Sequence, residues 1–206
     1  MAGDEEVFCL LRGDLSHLFG GELPQGAFAG PAPESLLALP QHFLPRSVAE
    51  HDPDFKQLIP YQLFCWANRF FVYQRGGGVG EERLAGRFSL GIGGHINSVD
   101  AEEGVLTASA YHAALARERQ EELVCAPGLT SRFLGWINDD SDPVGQVHLG
   151  AVHLSRVIDR EMVRLRPHGE DLHDRGWWSG EEIRTRGERF EKWSLLACQL
   201  AESFTQ

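Results

Sequence analysis

Apolar and polar residues alternate most regularly in the middle of the chain, from Phe55 onwards. The run FKQLIPYQLFCWANRFFVYQR carries β-branched and aromatic residues on both sides of a polar break at residues 67–69. Runs of this kind are typical of strands that pair across a short turn. We therefore predict a hairpin, with one strand through about Cys65 and a second through about Arg75. The later run RFSLGIGG predicts a further strand that ends in a glycine turn at Gly94.

A helical pattern follows, from about Ala110 to Val124. Apolar residues recur there at helical spacing, and the Pro-Gly pair at residues 127–128 predicts the end of the helix. Two more strands, TSRFLGWIND and GQVHLGAVHLSRV, are joined by an acidic loop. Ser179, followed three residues later by Glu182, forms a capping-box pattern that predicts the start of a C-terminal helix.

The first 50 residues are more interrupted than the rest. A short strand is predicted at residues 5–12, whereas residues 20–34 are rich in glycine, proline and alanine and are predicted to be irregular. We predict an N-terminal extension, residues 1–50, that packs on a main domain of residues 51–206. Strands and helices alternate without regular βαβ spacing, so the predicted class is α/β in the broad sense (α+β), with a mixed sheet flanked by helices.

The composition excludes several classes of protein. The chain has 206 residues, of which 42% are hydrophobic and 24% charged, values typical of a globular protein with its own core. A net charge of −11 disfavours general binding to nucleic acid or to anionic membranes, because the chain repels phosphate backbones. No apolar run approaches the roughly 20 residues of a membrane-spanning helix.

The cysteines indicate a reducing environment. They are far apart and form no C-x-x-C pair, so we expect free and mostly buried thiols. The four positions are Cys9, Cys65, Cys125 and Cys198. The N-terminus MAGDEEVFCLL is acidic with a short apolar run, which does not resemble a signal peptide. We therefore expect a cytoplasmic protein.

The candidate chemistry is concentrated in the segment ARERQEEL of the predicted helix. Glu118 and Glu122 lie about 40° apart around a helix axis, and Glu121 lies about 60° to the other side of Glu118. Like charges at this spacing repel one another, but a hard divalent cation such as Mg²⁺ would bind them favourably. Arg117 is placed to form a salt bridge that orients one carboxylate. The alternative is an ordinary surface helix rich in glutamate and arginine.

These residues resemble the Nudix box, G-x5-E-x7-R-E-U-x-E-E-x-G-U, where U is a bulky aliphatic residue. Gly94 takes the position of the leading glycine, and Asp100 stands where the first acid belongs. The R-E-x-x-E-E portion is matched by Arg117, Glu118, Glu121 and Glu122. Over residues 55–200 the chain is most similar to bacterial proteins described as predicted Nudix-type phosphoesterases. The resemblance implies a Nudix-like α/β/α sandwich with a mixed sheet.

Three features depart from the pattern. Asp100 and Arg117 are separated by 16 residues where the box has seven, so Glu102 and Glu103 compete with Asp100 for the first acidic position. The other two departures are Arg119 at the aliphatic position and Val124 at the glycine position. The metal-binding portion of the motif is unchanged.

The resemblance implies a hydrolase that cleaves a diphosphate linked to another group, with Mg²⁺ or Mn²⁺ as cofactor. Glu118 and Glu122 are expected as the principal metal ligands, with Glu121 as a further ligand and the Gly94 carbonyl as an extra one. The general base is expected to be Glu121 or Glu118, and Arg117 is expected to belong to the catalytic group.

Other candidates surround this site. Arg83 and Arg87 are expected either to hold a substrate phosphate or to be surface charges, and His95 either to touch the substrate or to hydrogen-bond within the turn. In the family another acid often comes from a loop before the last helix. The candidates for it are Glu161, Glu170, Asp171 and Asp174. Of Trp177 and Trp178, one is expected in the core and the other is a candidate for stacking on a base.

Two alternatives remain open. The altered box also fits a catalytically silent Nudix-like module that binds a nucleotide or metabolite. An isoprenoid diphosphate isomerase, which shares the fold, is disfavoured because that chemistry uses a cysteine close to the glycine turn, whereas Cys65 lies on an earlier strand. The expected partner is a small phosphate-bearing substrate, and a homodimer is expected because many relatives are homodimers.

Overall fold

The computed structural model describes residues 4–77, 84–167 and 171–204, which form a large mixed sheet with helices. The strands are β1 Glu6–Leu11, β2 Gly26–Phe28, β3 His42–Pro45, β4 Phe55–Trp66, β5 Arg69–Arg75, β6 Phe88–Ser89, β7 Gly91–Gly93, β8 Leu123–Cys125, β9 Arg132–Asn138, β10 His148–Arg156, β11 Val163–Leu165 and β12 Leu172–Ser179. The α-helices are α1 Arg12–Leu18, α2 Arg46–Ala49, α3 Ala108–Glu122, α4 Pro143–Gln146, α5 Gly180–Thr185 and α6 Lys192–Glu202. The predicted α+β class is confirmed.

The predicted hairpin is present as β4 and β5. Ala67 and Asn68 join the two strands with φ angles of 46° and 60°, and Trp66 pairs with Arg69 directly across the turn. Two consecutive residues with positive φ are the requirement of a type I′ hairpin turn, whose twist matches that of the strands. The local sequence therefore determines this element.

Two predicted boundaries were wrong. The segment 20–34 is not wholly irregular, because Gly26–Phe28 pairs with the end of β9. The helix predicted through Val124 ends at Glu122, because Leu123–Cys125 pairs antiparallel with Val163–Leu165. In both cases a partner distant in the sequence supplies backbone hydrogen bonds that local patterns do not reveal.

The chain divides into two compact units. The first comprises residues 4–61, 93–116 and 135–152. In it Cys9 of β1 lies between two partners, His42 on β3 and Gln57 on β4. Val7, Cys9 and Ala49 form a small buried cluster on this sheet. The predicted boundary at residue 50 stays a prediction.

The second unit comprises residues 62–92, 117–134 and 153–204. Its main pairing joins β12 to β5, with Trp177 opposite Phe71 and Trp178 opposite Phe70. The core cluster on one side of this pair is formed by Phe64, Phe71, Tyr73, Ile92, Leu123, Val157 and Val163. The predicted capping box starts α5: the Ser179 hydroxyl accepts from the Glu182 N–H, and the Glu182 carboxylate accepts from the Ser179 N–H.

The thiols match their prediction. All four cysteines are free; Cys9, Cys65 and Cys198 are buried and Cys125 is partly buried. Burial raises the pKa of the Cys9 and Cys198 thiols to about 12, which makes these side chains inert apolar groups. Among the residues described here, no helix is long and apolar enough to cross a membrane.

Candidate functional site

The candidate site is built on α3. The Thr107 hydroxyl accepts a hydrogen bond from the Ala110 N–H at 3.2 Å and so satisfies a donor of the first turn. The buried side of the helix is formed by Ala110, Tyr111, Ala114 and Leu115. Small residues on this side allow close packing, and the last two turns carry the charged residues.

Arg117 brings two of the predicted carboxylates together. Its Nη1 atom donates to Oε1 of Glu118 at 2.8 Å and to Oε1 of Glu121 at 3.2 Å. The Glu118 side chain is 15% exposed, whereas that of Glu121 is 54% exposed. The predicted ion pair of Arg117 is therefore present, and it holds an inner and an outer carboxylate beside one cation. This arrangement offsets the like-charge repulsion that the sequence predicts.

The end of α3 is fastened by Arg166. Its Nε atom donates to the Gln120 carbonyl at 2.8 Å, and its main-chain N–H donates to the Glu122 carbonyl, also at 2.8 Å. Both carbonyls belong to the last turn, where a helix leaves acceptors unsatisfied and where a positive charge is favourable. Oε2 of Glu122 is buried. Arg166 lies 44 residues after Glu122, so no local pattern in the sequence connects it to α3.

Arg119 occupies the position that the Nudix box gives to an aliphatic residue. The side chain is partly buried and its Nε atom is shielded from solvent. The methylene stem of an arginine covers apolar surface while the charged end reaches outward. Arg119 is therefore partly buried at this position and carries a charge that the box does not have.

The donor chemistry of α3 fits a hard divalent cation. Carboxylate oxygens are the ligands that Mg²⁺ prefers, and Glu118 and Glu121 already present theirs to one cation, the Arg117 guanidinium. Across the ranges 4–77, 84–167 and 171–204, however, no three side chains of His, Cys, Asp or Glu are grouped as a ready metal site. The metal ligands Glu118, Glu121, Glu122 and Gly94 stay a prediction.

The glycine turn is tightly packed against the chain itself. A Cβ atom on Gly93 would lie 2.6 Å from the Pro60 carbonyl oxygen, a distance that no ordinary contact allows. The Tyr73 hydroxyl donates to the Gly91 carbonyl at 2.7 Å and so fixes the start of the turn. The close approach that the glycines permit is thus seen at Gly93, to a neighbouring strand. Gly94 is partly buried.

His95 is paired with a histidine that sequence analysis did not identify. The two Nε2 atoms of His95 and His148 lie 3.3 Å apart, and Nδ1 of His148 lies 2.6 Å from the Val144 carbonyl. A carbonyl oxygen can only accept a hydrogen bond, so Nδ1 of His148 carries the hydrogen. Nε2 of neutral His148 is then an acceptor, and Nε2 of His95 donates to it. Burial, Arg46 and His148 lower the pKa of His95 to about 3. Its predicted role in substrate binding stays a prediction.

The candidates for the remaining acids have local partners. The Asp100 carboxylate accepts from the Asn97 N–H at 2.9 Å and closes its own turn. Glu161 pairs with Arg160 and Arg164, and one Asp174 oxygen accepts from the Gly176 N–H. Asp171 binds the Gly77 N–H and His173. Glu102 and Glu103 are exposed, and Glu170 lies outside the described residues.

Of the predicted phosphate-binding arginines, Arg87 is exposed and Arg83 lies outside the described residues. Nη1 of Arg87 donates to the carbonyls of Glu188 and Phe190. The two tryptophans face opposite sides of β12. Trp177 packs on the core cluster beside Phe71, at 5.4 Å between ring centroids, which confirms that one of the pair belongs to the core.

No protein-family model matches the chain. Protein YmaB of Bacillus subtilis is 32% identical over 161 residues, which are 76% of this chain and 76% of that protein. Tm1382, a solved structure described as a candidate Nudix hydrolase, is 25% identical, with a TM-score of 0.71 over 97% of this chain and 99% of that chain. The Nudix domain of Shewanella oneidensis NrtR, solved with ADP ribose, is 12% identical, with a TM-score of 0.53 over 73% of this chain and 89% of that chain. This last likeness concerns the fold alone.

Proposed function

Because this chain belongs to the Nudix hydrolase superfamily, we propose that it is a divalent-metal-dependent pyrophosphohydrolase or phosphoesterase. The proposed substrates are nucleoside diphosphate derivatives and related pyrophosphate compounds. The observation that carries the proposal is the trio on α3, in which Arg117 holds the carboxylates of Glu118 and Glu121 side by side. A small phosphate-bearing substrate is in keeping with the net charge of −11, which disfavours long polyanions.

Four residues of α3 have proposed roles. Glu118 and Glu122, four residues apart on one side of the helix, are the principal ligands, with Glu121 and the Gly94 carbonyl as further ligands. A bound Mg²⁺ or Mn²⁺ ion would supply neutralisation of the charge on the diphosphate. Arg117 sets the orientation of the two carboxylates that it contacts.

The reaction needs a proton acceptor and a defined path for the bonds. The oxygen of an attacking water forms a bond to phosphorus, the bridging phosphorus–oxygen bond breaks, and the water proton passes to a carboxylate. Glu121 and Glu118 are both proposed as that acceptor. Glu121 is the more exposed of the two, so it is the one with freer access to water in the absence of substrate.

The proposal is tested with a panel of nucleoside diphosphates, nucleoside diphosphate sugars and ADP ribose in Mg²⁺ or Mn²⁺. We expect Glu118→Gln and Glu122→Gln to lower kcat/KM by roughly a hundredfold or more, because each removes a charged ligand while keeping the shape of the side chain. Glu181→Gln, at an exposed glutamate of α5, is the control and should leave the rate unchanged. Absence of turnover over the whole panel with both metals would end the proposal.

The alternative is a silent Nudix-like module that binds a nucleotide or metabolite. It is favoured by Arg119 and Val124, which depart from the residues of the box. Calorimetry that detects tight binding without hydrolysis, equal in the protein and in Glu122→Gln, would support this alternative. A cytoplasmic location, in keeping with the four free thiols, belongs to either proposal, and the homodimer stays a prediction.

A further inference from the structure

Four exposed arginines surround three aromatic rings in the second unit. We call this group the arginine–aromatic patch; it consists of Arg87, Arg175, Arg186 and Arg189 with Phe88, Trp178 and Phe190. The Trp178 ring lies 5.2 Å from that of Phe88 and 5.9 Å from that of Phe190, and these two lie 5.4 Å apart. The three rings therefore form one compact aromatic cluster, and the arginines lie around it.

Two of the arginines are held by these rings. The guanidinium carbon of Arg186 lies 5.0 Å from the centroid of Trp178, and that of Arg189 lies 4.5 Å from the centroid of Phe88. Cation–π contacts of this length are favourable and restrict the movement of a long side chain. Restricting the side chain in advance lowers the entropy cost of binding an anion.

The guanidinium groups of the patch have neutral partners. Arg87 donates to main-chain carbonyls, Arg175 donates to the Gln74 side-chain oxygen, and Arg186 donates to the Glu182 carbonyl. No ion pair is seen at any of the four in the described ranges, although the Glu182 carboxylate, which pairs with Arg69, also interacts electrostatically with Arg186. Glu188 is the acid between Arg186 and Arg189 in the sequence, and it is exposed. The patch is thus locally positive on a chain with 30 acidic and 19 basic residues.

The patch and the end of α3 lie on opposite faces of the second unit. Gln74 pairs with Phe88, and Trp178 pairs with Phe70, so the even-numbered side chains of β5 share the patch's face. The odd-numbered side chains, Phe71 and Tyr73, belong to the core cluster that contains Leu123, the residue directly after α3. The patch is therefore separate from the carboxylates of α3.

We propose that the arginine–aromatic patch is a second binding site, for a compact polyphosphate group such as that of a nucleoside triphosphate or inorganic tripolyphosphate. Arginine is suited to phosphate because its planar group offers several donors and remains charged. Compactness follows from the net charge of −11. A ligand whose charges all lie within about one Debye length of the patch, ~8 Å in physiological salt, is attracted by its arginines. A nucleic acid or a membrane would also extend over the acidic remainder of the surface, which repels it.

Calorimetric titration with inorganic tripolyphosphate in EDTA tests the site without metal. We expect saturable binding that weakens as salt rises, and at least a tenfold loss of affinity in Arg186→Gln/Arg189→Gln. The matched control is Arg160→Gln/Arg164→Gln, at exposed arginines that are paired with Glu161, and it should bind within twofold of the unchanged protein. Arg186→Lys/Arg189→Lys keeps the charge and should retain part of the affinity. A thermal melt of each variant verifies folding.

Several results would overturn the site. These are no saturation at millimolar tripolyphosphate, equal affinity in the glutamine double variant, an equal loss in the control pair, or equally tight binding of an oligoglutamate of matched charge. Glu118→Gln should bind tripolyphosphate normally, since it lies on the other face. If the unchanged protein binds tripolyphosphate but hydrolyses no compound of the substrate panel, the proposed function alone is contradicted; if it hydrolyses a panel compound but does not bind tripolyphosphate, the second site alone is contradicted.

Discussion

Gly93 has no room for a side chain, although its backbone conformation does not itself require glycine. A Cβ atom there would meet the Pro60 oxygen at 2.6 Å and a Tyr61 ring carbon at 3.0 Å. We expect Gly93→Ala to lower the free energy of unfolding by about 1–3 kcal/mol, because β7 must move away from the neighbouring strand. Urea denaturation monitored by fluorescence measures the change.

The control for this substitution is Gly13→Ala, in the exposed part of α1. No atom lies within 4 Å of a Cβ at that position, and alanine is favoured over glycine in helices by roughly 1 kcal/mol. Gly13→Ala should therefore be neutral or stabilising. If both alanine variants unfold at the same urea concentration as the unchanged protein, the result would contradict the close packing of Gly93 against Pro60 and Tyr61.

At the residue scale, prediction succeeds where a contact depends on spacing along one element. The predicted ion pair of Arg117 with one carboxylate is present at Glu121, four residues along the helix, and Arg117 also pairs with the adjacent Glu118. The partner of His95 could not be predicted, because His148 is 53 residues away and no periodic pattern connects two segments that meet only in the folded chain.

At the element scale, the last turn of α3 depends on Arg166. We expect Arg166→Gln to lower local stability there by about 1 kcal/mol, since it removes a charge and a donor from the helix C-terminus. Hydrogen exchange of the amides at residues 119–122 should then be about fivefold faster, with little change in β5. Arg164→Gln, at an exposed neighbour that pairs with Glu161, should leave these amides unchanged. Equal acceleration in both variants would contradict this role of Arg166.

Elements were predicted well where their boundaries are set by local chemistry. The two-residue turn of β4–β5 and the Ser179–Glu182 capping box are both encoded within four residues. The end of α3 was predicted two residues too late, since the segment after Glu122 gains more by pairing with Val163–Leu165 than by continuing the helix. Such competition between helix and strand depends on a partner that the local sequence does not name.

At the scale of the whole molecule, charge determines how stability responds to acid. Asp140 lies at the centre of a network in the first unit: it accepts from Arg12 at 2.9 Å, from Lys56 at 2.7 Å and from Gln25 at 2.7 Å. Lys56 is fully buried. Burial alone would raise the pKa of Asp140, but the bonds from these three residues outweigh it and hold the pKa well below the ordinary value of 3.8.

The sign of the pH dependence follows from this lowered pKa. The unfolded chain binds the proton of Asp140 more readily than the folded protein does, so the stabilisation is complete above about pH 4 and is lost as pH falls through the lower folded value. We expect Asp140→Asn to be less stable by about 2 kcal/mol or more at pH 7, because Lys56 would keep a buried charge without its counter-ion.

Urea midpoints measured from pH 7 down to pH 2.5 test this expectation. The curve of Asp140→Asn should be flatter than that of the unchanged protein, and the two should converge in acid. Glu102→Gln, at an exposed acid, should follow the unchanged protein throughout. A difference between Asp140→Asn and the unchanged protein that stays constant down to pH 2.5 would mean that Asp140 acts through its hydrogen bonds alone. The charge would then not be the source of the stabilisation.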